Sequence, residues 1–205
     1  MKSLLKEERK LWKRGYKRVA CLDEAGRGPL AGPVIACVVT VRQFPISNFQ
    51  FPNIRDSKKL SAKKREEFYN ILTKHPDIEW GIGRVSEKVI DKINILESTK
   101  LAMSRALIKL KKKPSFLILD GNFKINSAIP QKSIIKADEK VFSCMAAGII
   151  AKVTRDRIMK RYHLKYPCYG FDKHKGYPTK KHKRVIKKNG ICKIHRKTFR
   201  PIKKV

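Results

Sequence analysis

The sequence predicts an α/β domain built around a mixed β-sheet. Two apolar runs come early in the chain, the second of them rich in β-branched residues, and further short apolar runs then alternate with helical patterns. Hydrophobic residues make up 41% of the 205 residues, which is enough for a packed core. Because no apolar run approaches the roughly 20 residues that span a bilayer, we expect no membrane association.

The first half of the chain is predicted to hold two helices and three strands. The N-terminal residues alternate charge with apolar side chains, which indicates an amphipathic helix rather than a secretory signal. The first strand ends in a glycine-rich turn, and Ser61 caps the second helix. In order, these elements are a helix at about 3–14, strands at 18–23 and 33–41, a helix at 61–75 and a strand at 79–85.

The second half is predicted to alternate helices with two further strands. Pro114 stops the first of its helices, and Thr179 and Gly190 bound the last one. We place one domain in residues 1–184, followed by a basic C-terminal tail at 185–205. In order, the elements are a helix at 98–112, strands at 116–120 and 132–136, a helix at 138–162, a loop at 166–178 and a basic helix from 179.

Charge is the strongest compositional signal. Fifty Lys and Arg against seventeen Asp and Glu give a net charge of +33, and no acidic residue follows Asp172. A polyanion is the natural partner for such a chain, although a generally lysine-rich, solvated surface explains the same composition. The five cysteines are odd in number and widely spaced, so we expect reduced thiols and a cytoplasmic location.

The acidic residues are few, and four of them occupy positions where sites are built. Asp23 and Glu24 lie where an apolar strand meets a glycine turn, Asp120 ends another strand, and Asp138 begins a helix just after a third. Taken singly, Asp138 fits a helix cap and Asp120 fits turn chemistry. Together they predict a site for hard divalent cations, since gathered carboxylates repel one another without a cation.

Several motifs resemble those of bacterial ribonuclease HII, the type 2 ribonuclease H family. The most specific are Asp-Glu-Ala-Gly-Arg-Gly-Pro-Leu-Ala-Gly-Pro-Val at 23–34 and Tyr-Gly-Phe-Asp-Lys-His-Lys-Gly-Tyr-Pro-Thr at 169–179. Asp-Ser-Lys-Lys-Leu-Ser at 56–61, Leu-Asp-Gly-Asn at 119–122 and Ala-Lys-Val-Thr-Arg-Asp at 151–156 lie between them in the family order. Two positions depart from the family pattern, which usually has Gly-Asp at 137–138 and Ser-Ile at 148–149.

The resemblance implies a ribonuclease H-like fold with a five-stranded mixed sheet, flanking helices and a C-terminal helical extension. It implies an endonuclease that cuts the RNA strand of RNA/DNA hybrids and nicks duplex DNA 5′ to a single ribonucleotide, leaving 3′-hydroxyl and 5′-phosphate ends. Two divalent ions, Mn²⁺ or Mg²⁺, would be held by Asp23, Glu24, Asp120 and Asp138, with Asp23 bridging both. We expect the protein to act as a monomer.

The resemblance also implies a set of substrate-binding residues. The backbone of Gly26, Arg27 and Gly28 would read the ribose 2′-hydroxyl, and Tyr177 would pack on the neighbouring sugar; glycine lets backbone approach a ligand closely. Arg27 fits a phosphate contact and a structural ion pair about equally, and Tyr177 has a core tyrosine as its alternative. Lys58 and Lys59 are further candidates for phosphate contacts. Asp156 is interpreted as structural, paired with a neighbouring arginine.

Two other functions remain compatible with the sequence. A non-catalytic basic nucleic-acid-binding protein would explain the charge but not four acids at three strand ends. Another two-metal nuclease on the same fold would share the acids without needing the Gly-Arg-Gly turn and Tyr177 together. A zinc site is a weaker hypothesis, because the spacing of its candidate ligands matches no ordinary zinc pattern; these are Cys168, His174, His182, Cys192 and His195.

Overall fold

Five strands form one mixed sheet in the order β3-β2-β1-β4-β5. The computed structural model describes residues 5–43 and 60–204. β1 pairs antiparallel with β2 and parallel with β4, while β2–β3 is antiparallel and β4–β5 parallel. The strands are β1 (Val19–Ala25), β2 (Val34–Val41), β3 (Ile78–Val85), β4 (Phe116–Asp120) and β5 (Gln131–Ile134).

Helices cover both faces of this sheet, which explains why the central strands are continuous apolar runs. Every residue of β2 is buried, and β1 is buried except at Glu24. The helices are α1 (Lys6–Lys13), α2 (Ala62–Lys74), α3 (Glu87–Leu107), α4 (Ala137–Lys140), α5 (Phe142–Lys165), α6 (Phe171–His174) and α7 (Lys180–Asn189). Within the described ranges, none of them combines the length and apolar character needed to span a membrane.

The glycines of β3 allow α3 to lie directly on the sheet. A Cβ atom at Gly83 would lie 2.7 Å from the backbone N of Ala106 and collide with the carbonyl of Ala102. A Cβ at Gly81 would lie 2.7 Å from the carbonyl O of Ala106. These two glycines weaken the strand pattern in the sequence, but they are required for α3 to pack closely on β3.

The predicted helix at 98–112 differs from α3 at both ends. α3 starts eleven residues earlier, at Glu87, and its course is broken at Asn94, which has a φ of 64°. The side chain of Asn94 accepts hydrogen bonds from the amides of Leu96 and Glu97, at 2.9 and 3.1 Å, and so caps the second segment. The helix ends at Leu107, well before Pro114.

The helix predicted from Asp138 is two helices. Val141 is extended between α4 and α5, so Asp138 belongs to a separate single turn. The start of α5 is capped from α1, because Glu8 accepts hydrogen bonds from the amide N and the Oγ of Ser143 at 2.9 and 2.8 Å. This long-range contact explains why a continuous helical pattern in the sequence is interrupted.

The C-terminal region is more ordered than the predicted loop and tail. The stretch at 166–178 contains a 3₁₀ turn at Pro167–Tyr169 and the helix α6. Thr179 caps α7 as predicted, with its Oγ1 3.2 Å from the amide N of His182. α7 crosses the predicted boundary at 184, and Ile186, Ile194 and Ile202 are buried in one apolar cluster with Leu30. Their burial joins the predicted tail, up to Ile202, to the core.

Part of one sequence motif falls outside the described residues. Asp56, Lys58 and Lys59 lie there, as does most of the Phe- and Pro-containing segment before them.

Candidate metal centre and adjoining cleft

Three aspartates from three different elements meet at one edge of the sheet. Asp23 lies in β1, Asp120 ends β4, and Asp138 lies in α4. One carboxylate oxygen from each lies within 4.8 Å of those from the other two. The parallel pairing of β1 with β4, with Leu22 opposite Leu119, brings the first two strand ends together.

A backbone contact ties Asp120 to the turn that carries Asp138. The Oδ1 atom of Asp120 accepts a hydrogen bond from the amide N of Ala137 at 2.7 Å. Lys136, with a φ of 58°, takes the left-handed conformation before this turn. The left-handed conformation thus falls on Lys136 and not on residue 137, where the pattern described above usually has glycine. Alanine is therefore accommodated at 137, where it is fully buried.

The carboxylate of Asp23 is buried and closely surrounded by backbone. Its Oδ1 atom accepts a hydrogen bond from the amide of Glu24 at 2.7 Å, and its side chain is buried. On α5, a Cβ atom at Gly148 would collide with Oδ2 of Asp23. The glycine found here, in place of the serine usual in the family, therefore leaves room beside this oxygen.

Glu24 lies next to the three aspartates and is not one of the mutually close group. Its Oε1 atom is 3.3 Å from Nη1 of Arg27. Its Oε2 atom is buried and finds no hydrogen-bond partner among the described residues. Such an oxygen, held beside three other carboxylates, is a natural acceptor for a cation.

The electrostatics of the group favour a bound cation. The pKa of Asp23 is raised well above its ordinary value by burial first, then by the charges of Glu24 and Asp120, and also by Asp138. Burial also raises the pKa of Glu24, against the opposing effect of Arg27. The site holds more carboxylates than can ionise together at low cost, and oxygen donors of this kind suit a hard divalent ion. Asp23, Asp120 and Asp138 could therefore hold a metal.

A cleft of about 380 Å³ opens beside these carboxylates. The predicted substrate residues line it together with three of the acids; the lining includes Asp23, Glu24, Asp138, Gly26, Arg27, Gly28 and Tyr177. Tyr177 is 40% exposed, so it is not the core tyrosine that the sequence left open. Its ring approaches Gly28, where a Cβ atom would lie 3.8 Å from Cε1 of the tyrosine.

Other basic residues of the cleft escaped the sequence analysis. Arg65, from α2, and Lys152, from α5, line it, and Nζ of Lys152 lies 5.6 Å from the centroid of the Tyr177 ring. Lys152 lies in the motif at 151–156, but among 50 Lys and Arg neither residue is marked by the sequence as a cleft residue. Asp156 is structural in its contacts, but its partner is Lys152, at 2.8 Å, rather than a neighbouring arginine.

The histidines considered as zinc ligands form a hydrogen-bonded cluster. The Nε2 atoms of His182 and His195 are 3.1 Å apart, and Nδ1 of His182 is 2.9 Å from the carbonyl O of Tyr177. His195 Nδ1 accepts from the amide of Cys192 at 2.9 Å. Burial lowers the pKa of both His182 and His195 to about 4, so both rings are neutral at physiological pH. Through the contact of His182 with the carbonyl O of Tyr177, the cluster holds the backbone at Tyr177 in place.

Comparison with known proteins agrees with this geometry. The family model described as Ribonuclease HII matches residues 20–202. A ribonuclease HII of Endomicrobium trichonymphae is 46% identical over 95% of this chain and 91% of its own length. Among solved structures, ribonuclease H2 from Pyrococcus horikoshii OT3 superposes with a TM-score of 0.75 at 28% identity, covering 91% of this chain and 96% of that one. Bst-RNase HIII in complex with Mn²⁺ shares the fold, with a TM-score of 0.71 at 17% identity over 91% of this chain and 68% of that one. The chain therefore belongs to the ribonuclease HII family.

Proposed function

We propose that this protein cuts the RNA strand of RNA/DNA hybrids and nicks duplex DNA 5′ to a single embedded ribonucleotide. As a member of its family it is an endoribonuclease of the ribonuclease H type. The observation that carries the finer proposal is that two of the three clustered aspartates, Asp23 and Asp138, line the same cleft as the Gly-Arg-Gly turn and Tyr177.

Asp23, Asp120 and Asp138, with Glu24 beside them, are the proposed ligands of two divalent ions, Mg²⁺ or Mn²⁺. Asp23 is the proposed bridge, because the charges of Glu24, Asp120 and Asp138 all act on its carboxylate. Bound ions of this kind activate a water and stabilise the leaving oxygen of a phosphodiester. Manganese bound to Bst-RNase HIII, a protein of the same fold, is consistent with this choice of cation.

The chain's own residues would bind and orient the nucleic acid. The backbone of Gly26, Arg27 and Gly28 would meet the ribose 2′-hydroxyl, the group that separates RNA from DNA. The half-exposed ring of Tyr177 would pack on the adjacent sugar, held above Gly28. Arg27 would serve both as an ion-pair partner and as a phosphate contact. Its guanidinium contacts Glu24, and its side chain remains 43% exposed to solvent.

The positive charge of the protein supports a polyanionic substrate. α7 carries five Lys and Arg in its first eight residues, Lys180, Lys181, Lys183, Arg184 and Lys187, and most of this helix is exposed. Lysine and arginine on phosphates release condensed counterions, so these residues would add affinity without sequence preference. A non-catalytic binding protein would use such charges equally well, but it has no use for carboxylates gathered within 4.8 Å.

The decisive experiment offers three labelled duplexes: an RNA/DNA hybrid, a DNA duplex with one internal ribonucleotide, and an all-DNA control. We expect metal-dependent cutting of the first two, with 3′-hydroxyl and 5′-phosphate ends and a nick 5′ to the ribonucleotide. Cutting that persists in EDTA would refute the metal mechanism. Equal cutting of the all-DNA control would instead favour a different two-metal nuclease.

The remaining parts of the proposal concern the state of the protein. All five cysteines are free thiols, which suits the reducing cytoplasm that we propose as its location. We propose a monomer, which sedimentation at several concentrations tests directly, since a mass that rises with concentration contradicts it.

A further inference from the structure

Two arginines are fully buried close to the cleft. Arg155, in α5, and Arg196, after α7, are each 0% exposed. Neither forms an ion pair with any residue of the described ranges. Burying an arginine without a carboxylate is costly, so its charge must be stabilised by other groups.

Backbone carbonyls of the Gly26–Pro33 segment supply that stabilisation. Arg196 donates to Gly26 O at 2.6 Å, to Arg27 O at 2.9 Å and to Gly32 O at 2.9 and 3.0 Å. Arg155 donates to Ala31 O and Pro33 O, both at 3.0 Å, and with its remaining Nη to Lys175 O at 3.0 Å. Two guanidinium groups thus hold five carbonyls of one eight-residue segment.

The orientation of these carbonyls fixes that of the neighbouring amides. In a trans peptide the C=O and N–H bonds point in opposite directions. Because the carbonyls of Gly26 and Arg27 turn inward to Arg196, the N–H groups of Arg27 and Gly28 turn away from it. Neither N–H donates to an acceptor in the described parts of the chain, and both residues line the cleft.

Gly26 is shaped for this arrangement. Its φ of +103° is strained for any other residue, and a Cβ atom there would collide with the Arg155 side chain and lie 2.8 Å from Pro33 O. The arginines keep their charge at neutral pH, since burial lowers the pKa of Arg155 only to about 10 and that of Arg196 to about 9. Arg155 and Arg196 are therefore a fixed, positively charged support for the Gly26–Pro33 segment.

We propose that Arg196, assisted by Arg155, is a positioning residue for ribonucleotide recognition, which aims the N–H groups of Arg27 and Gly28 into the cleft to bind a sugar oxygen. This inference rests on the proposed function. Lysine cannot replace arginine here, because one ammonium group cannot reach three carbonyls in the fixed geometry of the guanidinium fork. The side chain itself never touches the substrate.

The test compares affinities for two duplexes that differ by one oxygen. Binding is measured in EDTA, so that nothing is cut, for a DNA duplex with one ribonucleotide and for the same duplex with a deoxyribonucleotide there. The dissociation constant of the all-DNA duplex is divided by that of the duplex with the ribonucleotide. This ratio is determined for the wild type, Arg196→Lys and Arg155→Lys. The control is Arg18→Lys, at the end of β1 remote from the cleft. The guanidinium of Arg18 also donates to a backbone carbonyl, from Nε to Lys112 O at 3.0 Å, and it pairs with Glu79.

We expect Arg196→Lys to reduce the ratio about tenfold, the loss that corresponds to one hydrogen bond of roughly 1.4 kcal/mol. Arg155→Lys should reduce it less, and Arg18→Lys should leave it unchanged. A merely structural role would weaken binding of both duplexes together, because both depend on the same folded fraction. An unchanged ratio in folded Arg196→Lys therefore overturns the inference.

Two further outcomes are also decisive. If Arg196→Lys does not fold, Arg155→Lys carries the test, and an unchanged ratio there overturns the proposal. If the wild type cuts its substrates but shows a ratio of one, the turn does not read the sugar and the inference fails alone. Absence of any metal-dependent cutting by the wild type would instead refute the proposed function.

Discussion

The Oδ1 atom of Asp120 accepts a hydrogen bond from the amide N of Ala137 at 2.7 Å. This bond joins the end of β4 to α4, the turn that carries Asp138. Asp120 therefore has one contact that fixes the backbone of Ala137, while its carboxylate also belongs to the group of three that could hold a metal. Substitutions of Asp120 can therefore separate its hydrogen bond to Ala137 from its negative charge.

Asp120→Asn is expected to abolish cleavage while keeping the fold. An asparagine retains a carbonyl oxygen for the Ala137 amide but loses the negative charge that a metal needs, so we expect a loss of roughly a thousandfold or more in kcat. Asp120→Ala would lose both the charge and the hydrogen bond, at an additional cost of about 1 kcal/mol in unfolding free energy. Single-turnover cleavage and urea unfolding measure the two effects separately. Near-normal activity of Asp120→Asn would contradict the assignment.

Asp23→Asn is expected to stabilise the metal-free protein at neutral pH. The folded-state pKa of Asp23 lies above its unfolded value, so the folded state binds more protons and wild-type stability falls as pH rises from about 3.8 toward the raised pKa. Asparagine removes this penalty. Thermal unfolding in EDTA at several pH values should therefore show the midpoint difference growing with pH.

Divalent metal should reverse that order. Mn²⁺ or Mg²⁺ at one hundred times its dissociation constant would stabilise the wild type by about 2.7 kcal/mol. The Asp23→Asn protein should gain much less, because it lacks one of the proposed ligands. An equal rise in both midpoints would place the bound metal elsewhere on the molecule.

The convergence of the aspartates could be predicted because the signals are local. Asp23 and Asp120 each end an apolar run, and parallel strands bring such ends to one edge of a sheet. The break between α4 and α5 could not be predicted in this way, since Glu8, which caps α5 at Ser143, lies 135 residues away in the chain. The roles of Arg155 and Arg196 were missed for a different reason. Arg155 lies in the motif at 151–156, but with 50 Lys and Arg in the chain no pattern shows which guanidinium is buried.

Tyr177→Ala is expected to reduce cutting at a single ribonucleotide by roughly tenfold, which corresponds to the loss of about 1.4 kcal/mol of packing of the ring on the neighbouring sugar. Binding of an all-DNA duplex should change little. The position of the loop does not depend on this ring, because its backbone carbonyl is held by Nδ1 of His182 at 2.9 Å. Tyr177→Phe is the matched control and should keep most activity, since it retains the ring. Equal losses in cutting and in all-DNA binding would instead indicate that the tyrosine is structural.

Glu8→Ala is expected to destabilise the protein by about 1–3 kcal/mol, because the amide and hydroxyl of Ser143 lose a buried acceptor. Glu8→Gln should cost less, since its amide oxygen still accepts and burial already disfavours the charged carboxylate, whose pKa is raised. That raised pKa also predicts the sign of the pH dependence: the stability of the wild type relative to Glu8→Gln falls as pH rises above 4.5. Glu7→Ala, which removes only a surface pair with Lys10, is the control and should change stability by less than about 1 kcal/mol. Urea unfolding at pH 5 and pH 8 provides the comparison, and equal effects of the Glu7 and Glu8 substitutions would show that α5 does not depend on this cap.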